Sequence, residues 1–130
     1  MKIFFKYLLP LTWMIFIFIL SSIPGENYPE QVFNYSFLAH FVEFFILSIL
    51  VLQAVKLITS TWDKNIILSL IFCVLFALSD EIHQIFVANR SASLLDWLVD
   101  LFAILVGIKF YIYLLSLKLQ TKYPTPNGPS

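Results

Sequence analysis

Residues 36–57 read SFLAHFVEFFILSILVLQAVKL, an apolar run broken only by His40, Glu43, Ser48 and Gln53 before Lys56. At about 1.5 Å per residue, a helix of this length covers roughly 30 Å, the thickness of a bilayer's hydrocarbon core. Working outward, three more stretches have the same character: Tyr7–Ile23, Asn65–Val87 and Leu94–Leu117. Four such segments cannot close a β-barrel, and open sheets do not survive in lipid, so the segments must be helices. The expectation is therefore an all-α bundle of four transmembrane helices, one domain over residues 1–121. A tail at 122–130, with Pro124, Pro126, Gly128 and Pro129, is expected to be disordered. Pro10 suits the opening turn of the first span. Lys2 and Lys6 ahead of that span would also fit a signal peptide, but no A-x-A-like site follows, which favours an uncleaved span.

Composition agrees. The 130 residues are 60% hydrophobic and 12% charged, with a mean hydropathy of +0.88. A soluble domain is about 45–50% apolar and about 25% charged, and a short chain buries only a modest part of its surface. Zero net charge gives no field to draw nucleic acid. The single cysteine, Cys73, excludes an internal disulfide and reads as a small packed side chain.

Basic residues set the orientation. Lys2, Lys6, Lys56, Lys64, Lys109, Lys118 and Lys122 fall at one side of the expected spans, and Arg90 alone falls on the other, where Glu26 and Glu30 also lie. The positive-inside rule places the N-terminus, the second loop and the C-terminus in the cytoplasm. Tyr7, Trp62, Trp97, Tyr111 and Tyr113 stand near the expected span ends as interfacial anchors, and the fourteen phenylalanines read mostly as lipid-facing bulk.

Ionisable residues inside spans are costly, so each is expected to face the bundle interior or water. They are His40 and Glu43 in the second span, Asp80, Glu81 and His83 in the third, and Asp96 and Asp100 in the fourth, with Gln84 beside them. The alternating span directions put all of them roughly 3–11 Å below the outer helix ends, under Arg90. Ser69, Cys73, Ala77, Asp80 and Gln84 share one arc of the third helix, and Asp96, Asp100, Ala103 and Gly107 one arc of the fourth. Small residues in these arcs let membrane helices approach closely. Glu81 points about 100° away from Asp80 and is the weaker site member. Against a functional reading stands a structural one: end-of-helix acids can reach headgroups and water, Ser91, Ser93 and Asp96 can cap the fourth helix, and an Asp–Arg–His network can simply lock the bundle.

The segment SDEIHQIFVANRSASLLDWLVD at 79–100, with the His40-Phe41 pair, Glu43 and Gly107, resembles the VanZ-like family of small multi-pass bacterial membrane proteins. The match lies in the DEIHQ run, the following Phe86, Arg90-Ser91 and the Asp96…Asp100 pair. Two positions depart from it. Ala88-Asn89 replaces the family's Pro-Gly, which implies a looser turn, and Ser36-Phe37 replaces its Asp-Lys. The resemblance implies a location in the bacterial cytoplasmic membrane and a role in the cell envelope. The family's namesake is linked to low-level teicoplanin resistance, and the resemblance brings no settled activity with it.

Two functions from different classes fit these residues. In the first, the layer binds the headgroup of a membrane lipid or lipid-linked wall precursor, with Arg90, Gln84, Ser91 and Ser93 as headgroup ligands. In the second, it is an enzyme acting on a lipid or glycolipid headgroup, its acid–base groups drawn from His40, Glu43, Asp80, His83, Asp96 and Asp100. No cofactor is expected. If a divalent metal took part, its ligands would come from His40, Glu43, Asp80 and His83, although neither HExxH nor any other recognised ligand spacing occurs. Proton or ion transport ranks below both, because the cytoplasmic half carries no matching polar path. A homo-oligomer is left open.

Overall fold

The computed structural model describes residues 2–27, 36–58 and 61–122. Among them are four α-helices and no strand: α1 (Lys2–Ser21), α2 (Ser36–Val55), α3 (Trp62–Gln84) and α4 (Leu94–Lys122). A single 3-10 turn, Gly25–Asn27, follows α1. The expected tail beyond Lys122, together with Pro29 and Glu30, lies outside the described residues.

By length and composition, α2, α3 and α4 can each cross a membrane, and the apolar part of α1, Lys6–Ser21, is shorter. The outward faces are almost wholly apolar: Ile15, Phe16 and Ile19 on α1, Ile71, Phe72 and Leu75 on α3, Phe102, Leu105 and Phe110 on α4. Continuous patches of this size are not left facing water by soluble monomers. Against acyl chains they carry no penalty, so the chain is an integral membrane protein.

Helix α2 is the centre of the bundle and packs against all three others. Its Phe44, Leu47 and Leu52 meet Ile17 of α1, Cys73 and Ala77 of α3, and Ala103 and Ile104 of α4 in one core. Phe44 is fully buried, so the phenylalanines are not uniformly lipid-facing, although many are. The arc expected on α3 is buried throughout, and that on α4 from Asp100 to Gly107, with Asp96 only half-buried. Gly107 shows why size matters there. A Cβ at this position would collide with the Ser48 hydroxyl and stand 2.6 Å from the Phe45 carbonyl oxygen of α2.

Several boundaries differ from expectation. Helix α1 begins at Lys2, so Pro10 lies inside it rather than in its opening turn. Membrane helices tolerate this because neighbouring helices and side chains compensate the lost hydrogen bond. Helix α3 starts three residues early, after an extended Thr61, and ends at Gln84. Beyond it Ile85, Phe86 and Val87 donate backbone bonds three residues back, to Ile82, His83 and Gln84, in a tightened final turn. Helix α4 runs on to Lys122. Tyr7, Trp62 and Tyr113 are exposed, Trp62 at a helix start and the two tyrosines within their lengthened helices. Trp97 is not: it packs against the core and its indole nitrogen is buried without a partner.

The chain's up-and-down course creates two distinct ends. At one, the Lys56 ammonium sits 4.4 Å above the Trp62 ring and 5.5 Å from that of Tyr111. The other, here the polar end, holds the close of α1 and α3 and the start of α2 and α4.

Gly107→Ala should destabilise the bundle by about 1–3 kcal/mol through overpacking. Removing the Ser48 hydroxyl as well, with Ser48→Gly, should restore only part of this, because the Phe45 carbonyl is backbone and cannot rotate away. Thermal unfolding of the purified variants in detergent checks both.

Candidate functional site

The polar end is built around a link between α2 and α4. His40 follows one turn after the start of α2 and Asp100 lies two turns into α4. Both are buried, Asp100 completely, and His40 Nδ1 lies 3.1 Å from Asp100 Oδ1. With Asp100 ionised, Nδ1 carries the proton and donates it, which fixes the imidazole's orientation.

Helix α3 supplies the third side. Gln84 Nε2 donates to Asp80 Oδ2 at 3.1 Å, one turn away on the same face. Gln84 Oε1 in turn accepts from Arg90 Nη1 at 3.4 Å, so a relay runs from the surface arginine to a buried acid. Glu81 is also buried, and its Oε2 accepts the Ser93 backbone N–H at 2.7 Å. The residue expected to be the weaker site member is thus buried and bonded to the start of the next helix. The angle within α3 turns Glu81 away from Asp80, but the chain between α3 and α4 folds over that second face.

That connection is tightly made. Asn89 takes the left-handed conformation (φ 57°), which Asn tolerates better than most residues other than Gly. The Arg90 N–H closes the turn on the Val87 carbonyl at 3.2 Å. Asn89 Nδ2 reaches Glu26 Oε2 at 3.2 Å, and the Gly25 N–H donates to the Ala88 carbonyl at 3.0 Å. A Cβ at Gly25 would strike the Asn89 carbonyl oxygen, so glycine lets the two loops touch. The turn expected to be loose without Pro-Gly is therefore pinned, with Asn89 in the conformation a glycine would favour.

Ser93 serves the fold. Its hydroxyl accepts the Asp96 N–H at 3.2 Å as an N-cap while its own N–H holds Glu81. It lines neither polar cavity described below, unlike the expected headgroup ligands Arg90, Gln84 and Ser91. His83 also departs from the cluster. Its Nε2 lies 3.0 Å from Ser22 Oγ and its ring stacks on Phe18 at 4.3 Å, so it ties α3 to α1 and lines neither cavity.

Two cavities open among these groups. An inner one of about 30 Å³, room for one water, is lined by Ser21, His40, Glu43, Asp80, Gln84 and Arg90 among others. An outer one of about 130 Å³ is lined by Ser36, His40, Gln84, Asn89, Arg90, Ser91 and Asp96. Among the described residues, five buried side-chain polar atoms have no hydrogen-bond partner: Ser21 Oγ, Asp80 Oδ1, Glu81 Oε1, Trp97 Nε1 and Asp100 Oδ2. Three of the five are carboxylate oxygens of this one layer. For a metal, the sequence candidates were His40, Glu43, Asp80 and His83. Among the described residues the convergent ligand group is instead His40, Glu81 and Asp100.

Four helices with apolar outer faces around a layer of acids and an imidazole define a multi-pass membrane protein with a polar site near one end of its bundle. The family model described as VanZ/LLP1 matches residues 4–117, and the chain belongs to that family. No curated protein and no solved structure matches it.

The His40–Asp100 pair makes a double-mutant test informative. His40→Leu alone strands a buried carboxylate and should cost about 3–5 kcal/mol, whereas His40→Leu with Asp100→Leu should recover most of that loss. Unfolding of the single and double variants in detergent measures the coupling; additive losses would contradict the pairing.

Proposed function

We propose that this protein is a bacterial cell-envelope component that captures the phosphate-bearing headgroup of a membrane lipid or lipid-linked wall precursor at its polar end. That end faces outward from the cytoplasmic membrane, with both termini in the cytoplasm, following the distribution of lysines.

The observation that carries this reading is Arg90 on the wall of the outer cavity, among Asn89, Ser91, Gln84 and Ser36. Guanidinium, amide and hydroxyl donors are the set that grips a phosphate. Size narrows the ligand. A cavity of about 130 Å³ is well below the roughly 300–1,000 Å³ of pockets that enclose a drug-sized molecule. It takes one small charged group and leaves the acyl chains on the apolar outer faces. Carboxylates lie beside and beneath that group: Asp96 in the outer cavity, Glu43 and Asp80 in the inner one. They favour a headgroup that carries an amine as well as a phosphate. Any effect on glycopeptide susceptibility would follow from this capture.

Lipid retention by the purified protein, read by native mass spectrometry, tests the reading. Phosphatidylethanolamine should be held in preference to phosphatidylglycerol, and Arg90→Gln should weaken retention about tenfold or more, as expected for a lost charged hydrogen bond. A folded Arg90→Gln protein that retains lipid like the parent would overturn it. Orientation has its own check. On a Cys73→Ala background, Ala92→Cys should react with a membrane-impermeant maleimide in intact cells, and Lys64→Cys only after permeabilisation.

A further inference from the structure

We propose that His40, Glu81 and Asp100 bind one divalent transition-metal ion, zinc or manganese, inside the bundle at the polar end. The site is distinct from the set the sequence suggests, and it does not depend on headgroup capture.

One residue comes from each of α2, α3 and α4, and all three are at least 95% buried. Each offers one ligand atom, and these atoms all lie within 4.8 Å of one another. In a tetrahedral zinc site with bonds of about 2.0–2.2 Å, ligand atoms are roughly 3.4 Å apart. Closing the group around an ion therefore asks for shifts of about 1 Å at the ligand atoms.

A second observation points the same way. Asp100 Oδ2 and Glu81 Oε1 are buried with no hydrogen-bond partner, and so is Asp80 Oδ1 in the adjoining cavity wall. Buried acceptors are nearly always satisfied, and one cation between Asp100 Oδ2 and Glu81 Oε1 would satisfy both. Around them, Glu43, Asp80, Glu81, Asp96 and Asp100 all carry carboxyl groups in this layer, so a dication also offsets the local excess of acid.

The support is also of the kind metal sites use. The far oxygen of Glu81 is held by the Ser93 N–H at 2.7 Å. His40 Nδ1, 3.1 Å from Asp100 Oδ1, gives up its proton when the ion takes that place between them. One imidazole and two carboxylates suit zinc or manganese better than calcium, which takes oxygen ligands, or copper(I), which takes sulfur. Three protein ligands leave a position open for water, and His40 also lines the one-water cavity.

The test uses the full chain in a neutral, phosphate-free detergent, stripped with a chelator and titrated with zinc or manganese chloride alone. The expected result is about one equivalent bound, by calorimetry and elemental analysis, with a rise in melting temperature. Outer-shell changes alone typically weaken metal sites about 10–100-fold, so Asp100→Asn and Glu81→Gln should each weaken binding at least tenfold. His83→Gln, on the α1 side, should bind like the parent. Absence of saturable binding of both metals by the folded parent protein overturns the proposal. So does undiminished binding in either folded ligand variant, or an equal loss in His83→Gln, which would place the ion elsewhere. The parent's titration decides the matter even if one variant does not fold.

Discussion

The cost of placing charge among acyl chains governs this structure. A carboxylate or imidazole on an outer helix face would have no solvent, so each must turn inward and find a partner. The bundle meets that constraint by stacking its acids and an imidazole at one level and joining α2 to α4 through His40 and Asp100. Everything else at the polar end is arranged about that level. Gln84 links Asp80 to Arg90, Ser93 holds Glu81, and the two loops close over the top through Gly25 and Asn89.

Below this layer the forces change character. Hydrophobic exclusion does not drive helices together in lipid, so the remaining bundle relies on close packing. Ala77, Cys73 and Ser69 on α3 and Ala103 and Gly107 on α4 present little bulk. The large inward side chains come mainly from α2, with Phe44, Leu47 and Leu52 fully buried. Ser48 and Ser69 do not form a polar path through this region, since each donates to a carbonyl of its own helix. The buried acids and the buried imidazole thus lie at one end, while the other end buries the neutral Asn65.

Two chemistries occupy the polar end. Arg90 and its neighbours Asn89 and Ser91 line one small donor-rich cavity, and carboxylates with His40 line a smaller acceptor-rich one. His40 and Gln84 border both cavities. Membership of the VanZ/LLP1 family fixes the membrane setting without naming a ligand.

Much was legible in one dimension. Hydropathy marked the helices, because a bilayer imposes a length and an apolar composition on anything that crosses it. Helical periodicity marked the buried arcs of α3 and α4, and the in-span acids marked the depth of the site. What the sequence could not supply was the relation between one helix and the next. Only the folded chain turns Glu81 into the cluster, because the loop ending at Ser93 covers a second face of α3. Only it turns His83 out, because α1 brings Ser22 and Phe18 to that side. The fate of Trp97 and the pinned turn at Asn89 were settled in the same way, by neighbours distant in the chain. Local pattern decides which side chains must leave the lipid, and tertiary contact decides which of them meet.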